Sequence, residues 1–225
     1  MAKATGGFEY EATIANILKE NGLMDPNATT AGSSADDPDA YIYDANGKQI
    51  SIEIKKDKGA FFGQAELKYV NKKWQLSDNT RRKYPNTAKQ MESVPVTADN
   101  KTYKSMIDFV NKNWPAPHGK NYDIDLKRLG NLYAEFPTAS VGEHYAKDRK
   151  TPYIQIGKAG LYHFQKDVLR LGTSKFSAKI QARSRVKYRS STSYGFLIAL
   201  SIKGMITASA IDIERDIKSI KKAIK

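Results

Sequence analysis

Three side chains in the stretch DDPDAYIYDANGKQISIEIKKDK, residues 36–58, have the types and spacing to do chemistry together: Asp39, Glu53 and Lys55. The segment KQISIEIKK (48–56) alternates apolar and polar residues, the period of a strand. Ile50, Ile52 and Ile54 then share one face, and Ser51, Glu53 and Lys55 share the other. The segment DAYIYD (39–44) alternates as well, placing Asp39, Tyr41 and Tyr43 together. Between the two strands stands Asn46-Gly47, the strongest short hairpin signal. Such a hairpin brings Asp39 near Glu53 and Lys55. Closely spaced carboxylates resist joint ionisation, and a bound cation relieves that repulsion. Mg²⁺ suits such a pair, because it is hard, takes oxygen ligands and commonly combines one or two carboxylates with substrate phosphate. It can polarise a phosphate and supply a hydroxide nucleophile. Lys55 beside it can orient or deprotonate the water, or stabilise charge developing on the phosphate. In outline this is chemistry for cleaving a phosphodiester.

The elements that must position these groups are legible in part. GGFEYEATIANILKENG (6–22) predicts a helix, with Phe8, Ile14, Ile17 and Leu18 as its apolar stripe and Gly22 as its stop. The polar run 27–39 predicts a turn-rich loop. GAFFGQAELKYV (59–70) reads as a helix, 101–114 as another, and 115–123 as a loop. Strands are expected at 151–157, 159–164, 176–190 and 194–204. A terminal amphipathic helix is expected at 211–225, on which Ile211, Ile217, Ile220 and Ile224 can share a face. His118, His144 and His163 are scattered without metal-ligand spacing and read as structural or surface residues.

Pro38-Asp39, thirteen intervening residues and then Glu53-Ile54-Lys55 resemble the PD-(D/E)XK motif of the restriction-endonuclease-like nuclease superfamily. Its members include type II restriction enzymes, Holliday-junction resolvases, repair nucleases and some phage and homing endonucleases. The resemblance implies a glutamate on the helix before the hairpin, for which Glu9 and Glu11 are available. The run of Gly7, Tyr10, Glu11, Ile14 and Leu18 favours Glu11. It also implies a glutamine on the following helix, which Gln64 would supply. It covers residues 6–70 and implies an α/β, restriction-endonuclease-like core: a central mixed sheet flanked by helices, with a β-rich basic C-terminal extension. Asp39 and Glu53 would be the metal ligands for Mg²⁺, with Mn²⁺ as a substitute. Glu11, Lys55 and Gln64 would complete the catalytic set.

Charge and composition bear on the partner. The 225-residue chain carries a formal charge of +13, split as −2 over residues 1–75 and +15 over 76–225. An acidic site attached to a basic remainder suits a polyanion. The expected division is a catalytic core at 1–75 and a basic, partly β-rich DNA-binding and core-completing region at 76–225, integrated as one domain. In AKIQARSRVKYRS, the residues Lys179, Arg183, Arg185, Lys187 and Arg189 fall on one strand face, with Ile180, Ala182, Val186 and Tyr188 on the other. Such a row of cations suits a phosphate backbone or guanine edges. Arg81, Arg82 and Lys83, read as loop residues, form a second candidate contact. The absence of cysteine removes disulfides and thiolate metal sites. No apolar run approaches a membrane span and the first residues lack a secretory pattern, so a cytoplasmic location is expected. Together these features predict a Mg²⁺-dependent endonuclease acting on double-stranded DNA, type II restriction-like or phage-type, and dimeric for double-strand cutting. The alternatives are a structure-specific nuclease such as a Holliday-junction resolvase, or a DNA-binding protein without catalysis.

Overall fold

The computed structural model describes residues 5–29, 38–70, 73–97, 100–112, 131–190, 193–203 and 208–224. In chain order its elements are α1 (Thr5–Glu20), β1 (Ala40–Tyr43), β2 (Gln49–Lys55), β3 (Phe61–Val70), β4 (Lys73–Gln75), α2 (Asp78–Lys83), α3 (Pro85–Thr97), α4 (Asn100–Lys112), β5 (Leu132–Phe136) and α5 (Thr138–Glu143). A single π-helical turn follows at His144–Asp148. Then come β6 (Tyr153–Ile156), β7 (Gly160–His163), β8 (Ser174–Lys175), β9 (Ile180–Ser190), β10 (Ser193–Ile202) and α6 (Ile213–Ile224). The fold is mixed α/β. The expected loop at 115–123 lies outside the described residues, as does most of the loop expected at 27–39. No helix among the described residues is long and apolar enough to cross a membrane.

The chain forms two compact units that interleave along the sequence. The first comprises Met1–Ala60, Val141–Ala178 and Met205–Lys225, and the second Phe61–Ser140 and Lys179–Gly204. The boundary expected after residue 75 falls instead inside the second unit, at the end of β4.

The first unit holds a mixed five-stranded sheet in the order β1-β2-β6-β7-β8. The β1–β2 hairpin is antiparallel, with Ala40 opposite Ile52 and Tyr43 opposite Gln49. Its turn is built by Asp44, whose Oδ1 accepts from the backbone N–H of Asn46 and of Lys48. Gly47 supplies the left-handed backbone there, with φ +76°. Strand β2 then pairs in parallel with β6, Glu53 standing opposite Ile154. Helices α1 and α6 cover the hairpin's apolar face. Ile14, Leu18, Ile42, Ile52, Ile54, Ile213 and Ile220 meet in one buried core. Helix α1 ends as the sequence expects, the N–H of Gly22 returning to Lys19 O and that of Leu23 to Leu18 O.

The second unit holds an antiparallel sheet in the order β4-β3-β10-β9-β5, together with α2, α3 and α4. Here two expectations fail. Residues 59–70 form no helix; 61–70 form β3, paired on one side with β10 and on the other with β4. Residues 80–89, expected to have loop character, are helical instead: 80–83 belong to α2, capped by the Ser77 side chain accepting from the Thr80 N–H, and 85–89 to α3.

Candidate active site

Strand register places the key carboxylates. Ala40 is opposite Ile52, so the residue before it, Asp39, stands at the level of Glu53. Asp39 Oδ2 accepts a hydrogen bond from the Ile54 N–H at 2.7 Å, which ties the loop entering β1 to the middle of β2. The polar face of β2 is not solvated. Glu53 is only 3% exposed. Its Oε1 lies 2.5 Å from Lys55 Nζ and accepts from the Tyr145 hydroxyl at 3.0 Å.

Glu11 of α1 belongs to the same electrostatic group. Its pKa is pushed up to about 7, first by burial and then by Asp39 and Glu53, with Lys55 opposing. Asp39 is pushed up to about 6 by burial and by Glu53, with Lys55, the Ile54 N–H and Arg149 opposing. Lys55 is half-enclosed, and burial alone would lower its pKa. Attraction from Glu53, Asp39 and Glu11 outweighs that and raises it. The four groups therefore sense one another: three carboxylates and one ammonium, gathered from α1, the β1 entry and β2. Glu9, the other helix glutamate, is exposed.

Tyr145 and Arg149 have no counterpart in the sequence reading, and His144 figures there only as a structural or surface residue. Tyr145, fully enclosed, stacks on Phe164 with ring centres 4.9 Å apart and an interplanar angle of 4°. Burial, then Glu53, drives its pKa well above the usual phenol value, so it stays a hydrogen-bond donor. Arg149 lies over the Tyr145 ring at 5.7 Å and lowers the Asp39 pKa. His144 pairs with Asp148 at 3.5 Å, and burial lowers its pKa. His144, Tyr145 and Asp148 lie in the π-helical turn at His144–Asp148, and Arg149 caps it. Such single turns recur at functional sites. That turn, in HYAKDR, was the one available signal, and a sequence pattern does not reveal it.

Gln64 lies in β3 of the second unit, its backbone opposite Ala199, and its side chain is outside the described ones. The second unit also carries the basic candidates. Lys179 and Arg185 are exposed and Arg183 half-buried, while Ile180, Ala182 and Ser184 between them are buried, as alternation requires. Lys187 and Arg189 continue β9, with side chains outside the described ones. Arg82 and Lys83 are exposed on α2, and Lys83 lies over the Tyr84 ring at 5.5 Å. Arg81 is occupied internally, its Nε 2.7 Å from Glu92 Oε1 and its Nη2 3.2 Å from Gln75 Oε1.

The acidic group has the donor chemistry for a small hard cation. Glu11 Oε2 and Glu53 Oε2 are buried and accept no hydrogen bond in the structure. A divalent ion would satisfy both and relieve the repulsion that raises Glu11 and Asp39. Among the described residues no group of three or more His, Cys, Asp or Glu stands at metal-ligand spacing, so the carboxylates would have to rotate to hold one. Comparison with protein-family models, curated proteins and solved structures finds no match.

Proposed function

We propose that this chain is a Mg²⁺-dependent endonuclease that hydrolyses phosphodiester bonds of double-stranded DNA, on a restriction-endonuclease-like core. The observation that carries the reading is the convergence of half-buried Glu11, Asp39 and Lys55 on buried Glu53, two of the carboxylate oxygens lacking a partner. A purely structural network would pair those oxygens, because an unsatisfied buried acceptor costs about 1–3 kcal/mol.

Asp39 and Glu53 would hold the metal, with Glu11 orienting a ligand or the attacking water. When bound, Mg²⁺ would polarise the scissile phosphate and acidify a water. The protein's own groups do the rest. Lys55, its pKa raised, stays an ammonium at neutral pH. It therefore acts as a fixed positive charge toward the phosphate oxygens, not as a base. Tyr145 holds the Glu53 carboxylate by donating its hydroxyl to Oε1. The Ile54 N–H fixes one oxygen of Asp39 and leaves the other to a ligand. The basic face of β9, with Arg82 and Lys83, would hold the DNA backbone. A homodimer would bring two such sites to a duplex, one for each strand.

The test is incubation of supercoiled plasmid with the protein in Mg²⁺ or EDTA. Mg²⁺-dependent nicking and linearisation, lost in Asp39→Ala and Glu53→Ala, is expected. Cutting of four-way junctions with linear duplex left intact would move the assignment to a resolvase. Tight binding without scission of either substrate would leave a DNA-binding protein.

A further inference from the structure

The outer face of the second unit's sheet combines exposed aromatic rings with cations. Registers place Ala199 of β10 and Tyr133 of β5 on either side of Arg183, so the three share a face. Gln181 of β9, Ser201 of β10 and Phe61 of β3 form the next rung. The opposite face is the core, carrying Leu67, Leu132, Ile180, Ala182 and Leu200. Tyr133 is 51% exposed and Phe61 37% exposed. Large rings on an antiparallel sheet normally turn inward, and these two do not.

Cations accompany the rings. The Arg183 guanidinium lies over the Phe61 ring at 4.4 Å, reaching across the small Ala199 and Ser201 of β10. Lys203 Nζ lies 6.0 Å from the Tyr133 ring centre. Lys68 and Arg185 are exposed on the same face by register, and Lys179, just before β9, is exposed as well. Glu66 and Glu135 also stand there, so the face is basic without being uniformly so. A duplex buries its bases and offers an aromatic ring nothing to stack on. An unpaired strand offers both a phosphate row and free base faces, and sheets with exposed rings bind it by stacking. Tyr133 and Phe61 stand three strand spacings apart, about 14 Å, a span of a few nucleotides.

We propose that this sheet face binds single-stranded DNA, with Tyr133 and the Arg183–Phe61 pair as stacking platforms and the flanking lysines and arginines on the phosphates. The proposal rests on reading the second unit as the DNA-binding part, and is independent of whether the acidic group cuts. It implies that a frayed, gapped or overhanging end raises the enzyme's affinity for the duplex that carries it.

The experiment is fluorescence anisotropy in EDTA with a labelled mixed-sequence oligonucleotide, presented as single strand, blunt duplex and duplex with a single-stranded tail. Wild type should bind the single strand and the tailed duplex more tightly than the blunt duplex. Tyr133→Ala should weaken single-strand binding about 10-fold, leave blunt-duplex binding within about two-fold, and leave the salt dependence unchanged. Tyr133→Phe should restore binding, because the ring and not the hydroxyl is needed. Tyr133 is exposed, and circular dichroism would verify that the variant folds. Equal affinity of Tyr133→Ala and wild type for the single strand, or equal losses on single strand and blunt duplex, would overturn the proposal. Cleavage with Mg²⁺ and no effect of Tyr133→Ala removes only the stacking face, whereas ring-dependent binding without cleavage removes only the nuclease.

Discussion

Glu53 has more neighbours than a strand carboxylate on a solvated face would need. Lys55 and Tyr145 share one of its oxygens, and the other is left bare. Removing the Tyr145 hydroxyl should therefore be felt in both stability and chemistry. Tyr145→Phe is expected to destabilise the protein by about 1.5–3 kcal/mol, the range for a hydrogen bond to a charged group, as read from urea midpoints. The same substitution should slow cleavage without changing DNA affinity. A second expectation concerns pH. Folding raises Glu11 to about 7 and Asp39 to about 6, above their ordinary values near 4.5 and 3.8. A carboxylate with a raised folded pKa binds its proton more tightly in the native state. Its stabilisation is full below the unfolded value and is lost as pH rises through the folded one. In EDTA, thermal stability should therefore decline as pH goes from about 4.5 to about 7, and Glu11→Gln should flatten that decline. A slope unchanged in Glu11→Gln would place the titration elsewhere. None of this was visible from residue types alone. Asp39, Glu53 and Lys55 could be named because their spacing along one hairpin is local, and Glu11 because the resemblance implies a glutamate on the preceding helix. Tyr145 lies 92 residues from its partner, and nothing in its neighbours announces it.

The elements differ in how openly they declare themselves. The hairpin was legible because Asn46-Gly47 and two alternating runs point to the same structure, and α1 and α6 because their apolar residues recur at helical spacing. Strand β3 was not. Ala65, Glu66, Leu67 and Lys68 are good helix formers. Moreover, the β3–β10 register shifts between Ala199 and Ser201, so Phe62 and Ala65 are both buried although they differ in parity. The irregularity erases the two-residue period that would have marked a strand. Pairing with β10 and β4 then overrides local propensity. Gln64 went astray with it, because a glutamine expected on a helix of the catalytic core sits on a strand of the other unit. One element-level contact bears directly on the site. Gly157, just beyond β6, donates its N–H to Lys55 O at 2.9 Å, and a Cβ there would stand 2.0 Å from the carbonyl oxygen of Lys56. Backbone cannot yield as a flexible side chain can. Gly157→Ala should cost about 1–3 kcal/mol and displace the end of β2 that carries Lys55. The check is chemical denaturation together with cleavage, and both should fall. A variant as stable and active as wild type would show that the end of β2 is not held by that contact.

At the scale of the whole molecule, charge was the most legible property and topology the least. The −2 first third and +15 remainder of the sequence suggested an acidic site beside a basic surface. The chain instead returns to its first unit twice, at Val141–Ala178 and at Met205–Lys225, and composition carries no trace of that interleaving. The same charge makes a prediction about binding. With a net +13, DNA affinity in EDTA should fall steeply and linearly on a log–log plot against salt. Arg185→Gln should reduce the slope, whereas Arg81→Gln should chiefly destabilise the fold, because Arg81 is bound to Glu92 and Gln75. Equal changes in slope for the two variants would mean that both arginines meet phosphate. The most direct measurement is single-turnover scission of an end-labelled duplex across a Mg²⁺ titration, comparing wild type with Asp39→Asn. The substitution keeps the side chain's shape and removes its charge. Mg²⁺-dependent cutting by wild type, slowed at least about 100-fold in Asp39→Asn, is the expected result. Equal rates in the two proteins, or cutting that persists in EDTA, would contradict a metal-dependent site built on Asp39 and Glu53.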